Sequence, residues 1–175
     1  MPAMNPDIAF CLTRAGQDIA GWNTLIVSGT AGTPAPAEDL WAVWTDLEGW
    51  PLWSPLHRSA AWTSAAGPAD GATFDQRISL GVPLGTTTQH VTLDLVEPAR
   101  RVGWAGQGSG VRSCHLWSFS PLPHGGTQVS NTEVFTGLPV AVLRPLVARR
   151  WHRMFQAAVD GLIRTAASEA RGTSR

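Results

Sequence analysis

The sequence contains no lysine and no tyrosine, only two cysteines, and no net charge. Its 13 basic residues are all arginine and are balanced by 13 acidic ones. A neutral chain has no electrostatic reason to seek nucleic acid or an anionic membrane surface, and neither is expected as a partner. The lack of Lys beside abundant Arg, Ala and Gly reads as genome base composition rather than chemistry. Cys11 and Cys114 stand far apart in sequence, match no metal-ligand spacing, and neither needs a bridge. No run reaches the roughly 18 apolar residues of a membrane span. The N-terminus lacks a basic region followed by an apolar run, so a cytoplasmic location is the expectation. No metal or other cofactor is expected: no two histidines show His-x-x-x-His spacing, and there is no Gly-x-Ser-x-Gly elbow or phosphate loop. The glycine-rich run Gly106–Gly110 lacks the third glycine and the following helix of a nucleotide fingerprint.

What the chain does have is tryptophan, nine residues of it, and 43% hydrophobic residues over a length of 175. That is enough for one domain with a sizeable core. Trp is large and flat, and serves equally to fill a core or to line a cavity.

Met1 to Gly21 shows no clear period and is expected to be a poorly ordered N-terminal arm or a short added element. Trp22 to Gly32 is β-branched and reads as a strand. A helix follows, with Pro36 in its first turn, Glu38 and Asp39 at its positive end, and Leu40, Val43, Trp44 and Leu47 at helical spacing. Gly49 to Pro55 should break it as a stiff aromatic loop. Further strands are expected at Ser59–Trp62, along Phe74, Gln76, Ile78 and Leu80, along Gln89, Val91, Leu93 and Leu95, and from Arg101 to Gly106. The clearest hairpin joins Val111–Leu122 to Thr127–Thr136 through the turn around His124. With that turn, facing residues have numbers summing to about 248, so His115 opposes Glu133, Trp117 opposes Asn131 and Phe119 opposes Val129. A one-residue slip would turn these sets to opposite faces. From about Pro139 to Ala170, Leu143, Val147, Trp151, Met154, Ala158 and Leu162 mark one stripe of a long amphipathic helix. Residues 22–170 thus form one domain, and 171–175 should fray.

Five stretches carry a family resemblance. They are Ala35-Pro-Ala-Glu-Asp-Leu-Trp-Ala-Val-Trp-Thr-Asp-Leu47, Trp50-Pro-Leu-Trp-Ser-Pro55, Val96-Glu-Pro-Ala-Arg-Arg-Val-Gly-Trp104, His115-Leu-Trp-Ser-Phe-Ser-Pro-Leu122, and Glu133-Val-Phe-Thr-Gly137. In this order they resemble the START-like helix-grip superfamily, in its polyketide cyclase/dehydrase-like branch, over about residues 22–168. Trp50 and Trp117 depart from the Tyr or Phe usual there. The resemblance implies an α+β helix-grip fold, with a curved antiparallel seven-stranded sheet around the C-terminal helix. It also implies a hydrophobic, aromatic or polyketide-like small molecule as partner, and a monomer or homodimer. The branch includes cyclases, dehydratases and carriers, so both an enzyme and a non-catalytic carrier stay open.

A sheet gripping one helix leaves a cavity at its open end, mostly apolar with a few polar groups. Strand parity puts Gln76, Gln89, His115, Asn131 and Glu133 on its inner face, with Ile78, Val91, Leu93, Trp104, Trp117 and Phe135 as apolar liners. Trp53 joins them from the aromatic loop. His115 and Glu133 are the candidate catalytic pair, with Glu133 expected to be ionised and to hold the imidazole; such a pair can exchange protons with an enolisable carbonyl or merely stitch two strands. His57, after the Trp-Pro loop, is expected to be an ordinary exposed histidine, with a place at the cavity mouth as the alternative.

Overall fold

The computed structural model describes residues 4–65, 67–82 and 84–173. Helix α1 (Pro6–Arg14) precedes strand β1 (Thr24–Thr33), which leads to α2 (Ala37–Thr45), a short 3-10 turn, and α3 (Trp50–Trp53). Seven strands follow: β2 (His57–Trp62), β3 (Thr73–Gly81), β4 (Gly85–Thr92), β5 (Leu95–Glu97), β6 (Arg101–Gly108), β7 (Val111–Pro121) and β8 (Thr127–Thr136). The last described element is α4 (Leu138–Thr173), which continues through 171–173 where fraying was expected; Ser174 and Arg175 lie outside the described residues. The expected helix-grip architecture is present, with one difference in strand count. Among the described residues eight strands form two antiparallel sheets, β1-β8-β7-β6-β5 and β2-β3-β4. The strand expected along Gln89–Leu95 divides near Leu93 and Asp94, because Leu93 bonds back to Ala72 and Asp94 bonds to Gly103. The chain thereby passes from one sheet to the other. The β7–β8 register is the one read from the turn: His115 opposes Glu133, Trp117 opposes Asn131 and Phe119 opposes Val129.

Helix α4 lies in the concave face, where Ala158, Val159, Leu162 and Ala166 join Trp44, Phe74, Trp117 and Val129 in the main core. It also grips the free edge of β1. The Gln156 side chain accepts from the Thr30 amide (3.0 Å) and donates to the Thr30 carbonyl (3.3 Å), and Arg144 donates to the Thr24 carbonyl. Covering an edge strand in this way removes a site for unwanted pairing. The approach is close because position 29 is glycine: a Cβ there would lie 2.6 Å from the backbone of Phe155 and Gln156. The segment from Gly49 to Pro55, expected as a loop, instead carries the helical turn α3, whose Trp50 and Trp53 are buried. Pro51 falls in its first turn, where a missing N–H costs nothing.

The region before β1 is an added element that packs. Asn5 caps α1 by accepting from the Asp7 amide, and Ile8, Phe10, Cys11 and Leu12 cover the convex face of β7 and β8. Cys11 and Cys114, which on sequence alone needed no bridge, form a disulfide. Docking α1 brings their Cα atoms within 5.1 Å across a separation of 103 residues, a distance suited to a bridge. Such bridges persist in oxidising compartments and are scarce in reducing ones. No helix among the described residues is long and apolar enough to cross a membrane.

Candidate functional site

The site grows from the inner faces of β3, β4, β6, β7 and β8, closed by α4. An enclosed chamber of about 90 Å³ is lined by Leu56, His57, Gln76, Ile78, Leu80, Gln89, Trp104, His115, Glu133, Phe135, Trp151, Met154 and Phe155. Seven of the expected site residues therefore meet there: Gln76, Ile78, Gln89, Trp104, His115, Glu133 and Phe135. The other five lie behind them. Trp53, Val91, Leu93 and Trp117 are packed in the main core, and Asn131 is buried behind His115. Strand alternation identifies a face but not how far along it the core is filled, and α2, α3 and the end of α4 fill that stretch.

A chamber this size is much smaller than the several hundred Å³ of a usual small-molecule site. The deep pocket expected from sequence is instead divided. A wholly apolar chamber of about 200 Å³ adjoins it beneath the first turns of α4, lined by Leu25, Leu84, Val140, Leu143 and others. A polar cleft of about 520 Å³ reaches Glu133 from the gap between β4 and β6, strands that belong to different sheets.

Two hydrogen-bonded sets face the inner chamber. In the first, Ser54 Oγ lies 2.7 Å from His57 Nδ1, His57 Nε2 lies 3.0 Å from Gln76 Oε1, and Gln76 Nε2 donates to Gln89 Oε1 (2.9 Å). Since Gln76 Oε1 accepts, His57 carries its proton on Nε2 and takes the Ser54 hydroxyl hydrogen on Nδ1. Burial pushes the His57 pKa down to about 4, against a smaller upward effect of Gln76. His57 is thus a buried, neutral, cavity-lining histidine, not the exposed one read from sequence. The misreading came from treating Trp50–Pro55 as an irregular loop; α3 and the start of β2 carry His57 inward, where its ring meets Trp50 at 4.5 Å.

In the second set, His115 Nε2 lies 2.6 Å from Asn131 Oδ1, and Glu133 Oε2 lies 3.3 Å from His115 Nδ1. The imidazole packs against Trp104 at 4.3 Å and Phe155 at 5.4 Å. This aromatic enclosure removes most of the water from both groups, although the cleft between β4 and β6 still reaches Glu133. Burial is the largest influence on each, lowering the His115 pKa to about 3 and raising that of Glu133 to about 8. Burial thus favours a protonated Glu133 and a neutral His115, the opposite direction from the ionised Glu133 expected from sequence. The geometry agrees. With Nε2–H donated to Asn131, Nδ1 presents a lone pair to the carboxyl. Desolvation outweighs mutual attraction here because, among the described residues, no arginine or other fixed charge joins the pair. The site can therefore donate a proton from a buried acid and take it back on a buried neutral base.

Sequence reasoning missed His57, Leu56, Leu80, Trp151, Met154 and Phe155 as liners. Trp151 and Met154 were visible as members of the α4 stripe, but the stripe read as core. Among the described residues no group of His, Cys, Asp and Glu could hold a metal ion.

The fold is shared with several solved structures. A protein of Deinococcus radiodurans is 25% identical, with a TM-score of 0.57, over 84% of this chain and 98% of that one. The Zhui aromatase/cyclase from Streptomyces is 18% identical, with a TM-score of 0.66, over 86% and 98%. A START superfamily protein from Mycobacterium smegmatis is 16% identical, with a TM-score of 0.60, over 82% and 97%. No curated protein matches the sequence. The family model described as polyketide cyclase / dehydrase and lipid transport matches residues 24–167, and the chain belongs to that family.

Proposed function

We propose that this domain binds a hydrophobic, carbonyl-bearing small molecule of aromatic or polyketide-like character and promotes its cyclisation or dehydration by proton transfer. The observation that carries this reading is the Glu133 carboxyl 3.3 Å from His115 Nδ1 in an aromatic-lined chamber, where burial favours the neutral form of both groups. A structural stitch between two strands is better served by apolar residues, because burying ionisable groups costs stability. In dehydration of a β-hydroxy ketone the protonated carboxyl would give its proton to the departing hydroxyl, which leaves as water. The α-proton passes to the neutral His115 imidazole, and the C–H electrons form the new C=C bond. The imidazolium then returns that proton to the Glu133 carboxylate. The neutral imidazole beside it can receive or return a proton as the carboxyl cycles. Gln76, held between His57 and Gln89, would orient the carbonyl end. The aromatase/cyclase among the structural neighbours supports the reaction class only by analogy of fold.

The second reading is a carrier that holds such a ligand without reacting it; the adjoining apolar chamber of about 200 Å³ is the observation in its favour. The two separate on Glu133→Gln. An enzyme should keep ligand binding within about threefold and lose turnover of a β-hydroxy ketone by at least the 10²-fold typical of a lost general acid. Unchanged turnover, or none in the wild type, would remove the catalytic reading and leave the carrier.

A further inference from the structure

The enclosed chamber holds about 90 Å³, room for the end of a ligand but not for a polyketide-sized molecule. The adjoining apolar chamber offers about 200 Å³ more. Leu80, Phe135 and Trp151 line both spaces, so one layer of side chains divides them. Within that layer the Phe135 and Trp151 rings stand 5.0 Å apart. The Trp151 indole N–H donates to the Leu80 carbonyl at 3.2 Å, which latches the ring across the opening. All three side chains are half-buried, as are Leu84 and Met154 beside them. Trp44, Trp50 and Phe74 in the main core, by contrast, are fully enclosed. A ring with one open flank and one hydrogen bond can change rotamer without disturbing the core around it.

We infer that Trp151 is the gate between two subsites, and that the ligand is an elongated amphipathic molecule with its carbonyl end in the inner chamber and its apolar body in the outer one. This rests on the carbonyl-binding reading above and adds the shape of the ligand to it. The cleft between β4 and β6 is the competing space, but His90, Gln107, Ser109 and Ser113 are among its walls. Apolar surface is better removed from water between Leu25, Leu84, Val140 and Leu143.

The test is a homologous series of straight-chain methyl ketones, butanone to undecanone, titrated by calorimetry against the full chain. Each added methylene should tighten binding about three- to fourfold until the outer chamber is full. Leu143→Trp, which fills that chamber, should flatten the series; Leu84→Trp on another wall serves the same purpose if the first variant does not fold. Trp151→Phe keeps a ring but loses the latch, and should speed undecanone association in stopped flow. Butanone binding with no gain along the series overturns the inference and leaves the carbonyl-binding reading intact. Failure to bind any of the ketones overturns both. A steep series that neither filling variant flattens puts the chain in the cleft and overturns the outer subsite, and unchanged association in Trp151→Phe overturns the gate.

Discussion

Trp50 and Trp53 are three residues apart and both buried, yet their indole nitrogens meet different surroundings. Trp50 Nε1 donates to the Trp44 carbonyl at 2.7 Å, whereas Trp53 Nε1 is buried with no hydrogen-bond partner among the described residues. Trp50→Phe should therefore cost about 1–2 kcal/mol more than Trp53→Phe, because only the first change strips a made hydrogen bond. Equal costs in chemical denaturation would refute that difference. The same scale shows what a residue's sequence position conceals. That His115 and Glu133 face each other was legible, since the turn around His124 sets the register. That Glu133 keeps its proton was not, since the water around a carboxyl is removed by Trp104, Phe155 and other groups distant in sequence.

At the scale of elements, α1 is held to the sheet by more than its cross-link. Asp7 accepts from the Ser118 hydroxyl (2.6 Å), Thr136 donates to the Ala15 carbonyl (3.2 Å), and Arg14 pairs with Asp94. The bridge closes a loop of about a hundred residues, so Cys11→Ser should lower stability by roughly 2–5 kcal/mol. Hydrogen exchange should rise in α1 while protection within β1 and α4 persists; uniform loss of protection would mean that α1 is integral to the core. Signals for α1 were present in Asn5-Pro6-Asp7, an N-cap, a first-turn proline and an acid in sequence. Strand β7 carried a second signal. Cys114 and Leu116 point away from His115 and Trp117, so both of its faces are buried and each requires a cover.

For the whole molecule, the buried titrating groups set a stability profile with pH. The folded-state pKa values of His57 and His115, about 4 and about 3, lie below the ordinary histidine value of 6.5. The unfolded chain then binds more protons, and stability rises with pH up to about 6.5. Glu133, at about 8 when folded against an ordinary 4.5, acts in the opposite sense: its contribution is full below 4.5 and is lost as pH rises through 8. Two gains exceed one loss below pH 6.5, and the loss stands alone above it. Stability should peak near pH 6.5 and fall by at most roughly 2 kcal/mol toward pH 8. Glu133→Gln should abolish the alkaline decline. Thermal melts across this range decide the matter, and a melting temperature that keeps rising from pH 6.5 to 8 contradicts it.

The sequence by itself determined the antiparallel hairpins, the long amphipathic helix and the register of the last hairpin. Those properties depend on alternation, helical spacing and turn residues, which are local. It also specified which face of each strand turns inward, and so brought Gln76, Gln89, Trp104, His115 and Glu133 together. Tertiary structure decided the rest. It divided one expected strand at Leu93 and Asp94, because the two ends find partners in different sheets. It joined Cys11 to Cys114 by docking α1, and turned His57 inward through α3. It also decided how much of the concave face stays open, because that volume is what remains after α2, α3 and α4 have packed, and no local pattern encodes a remainder.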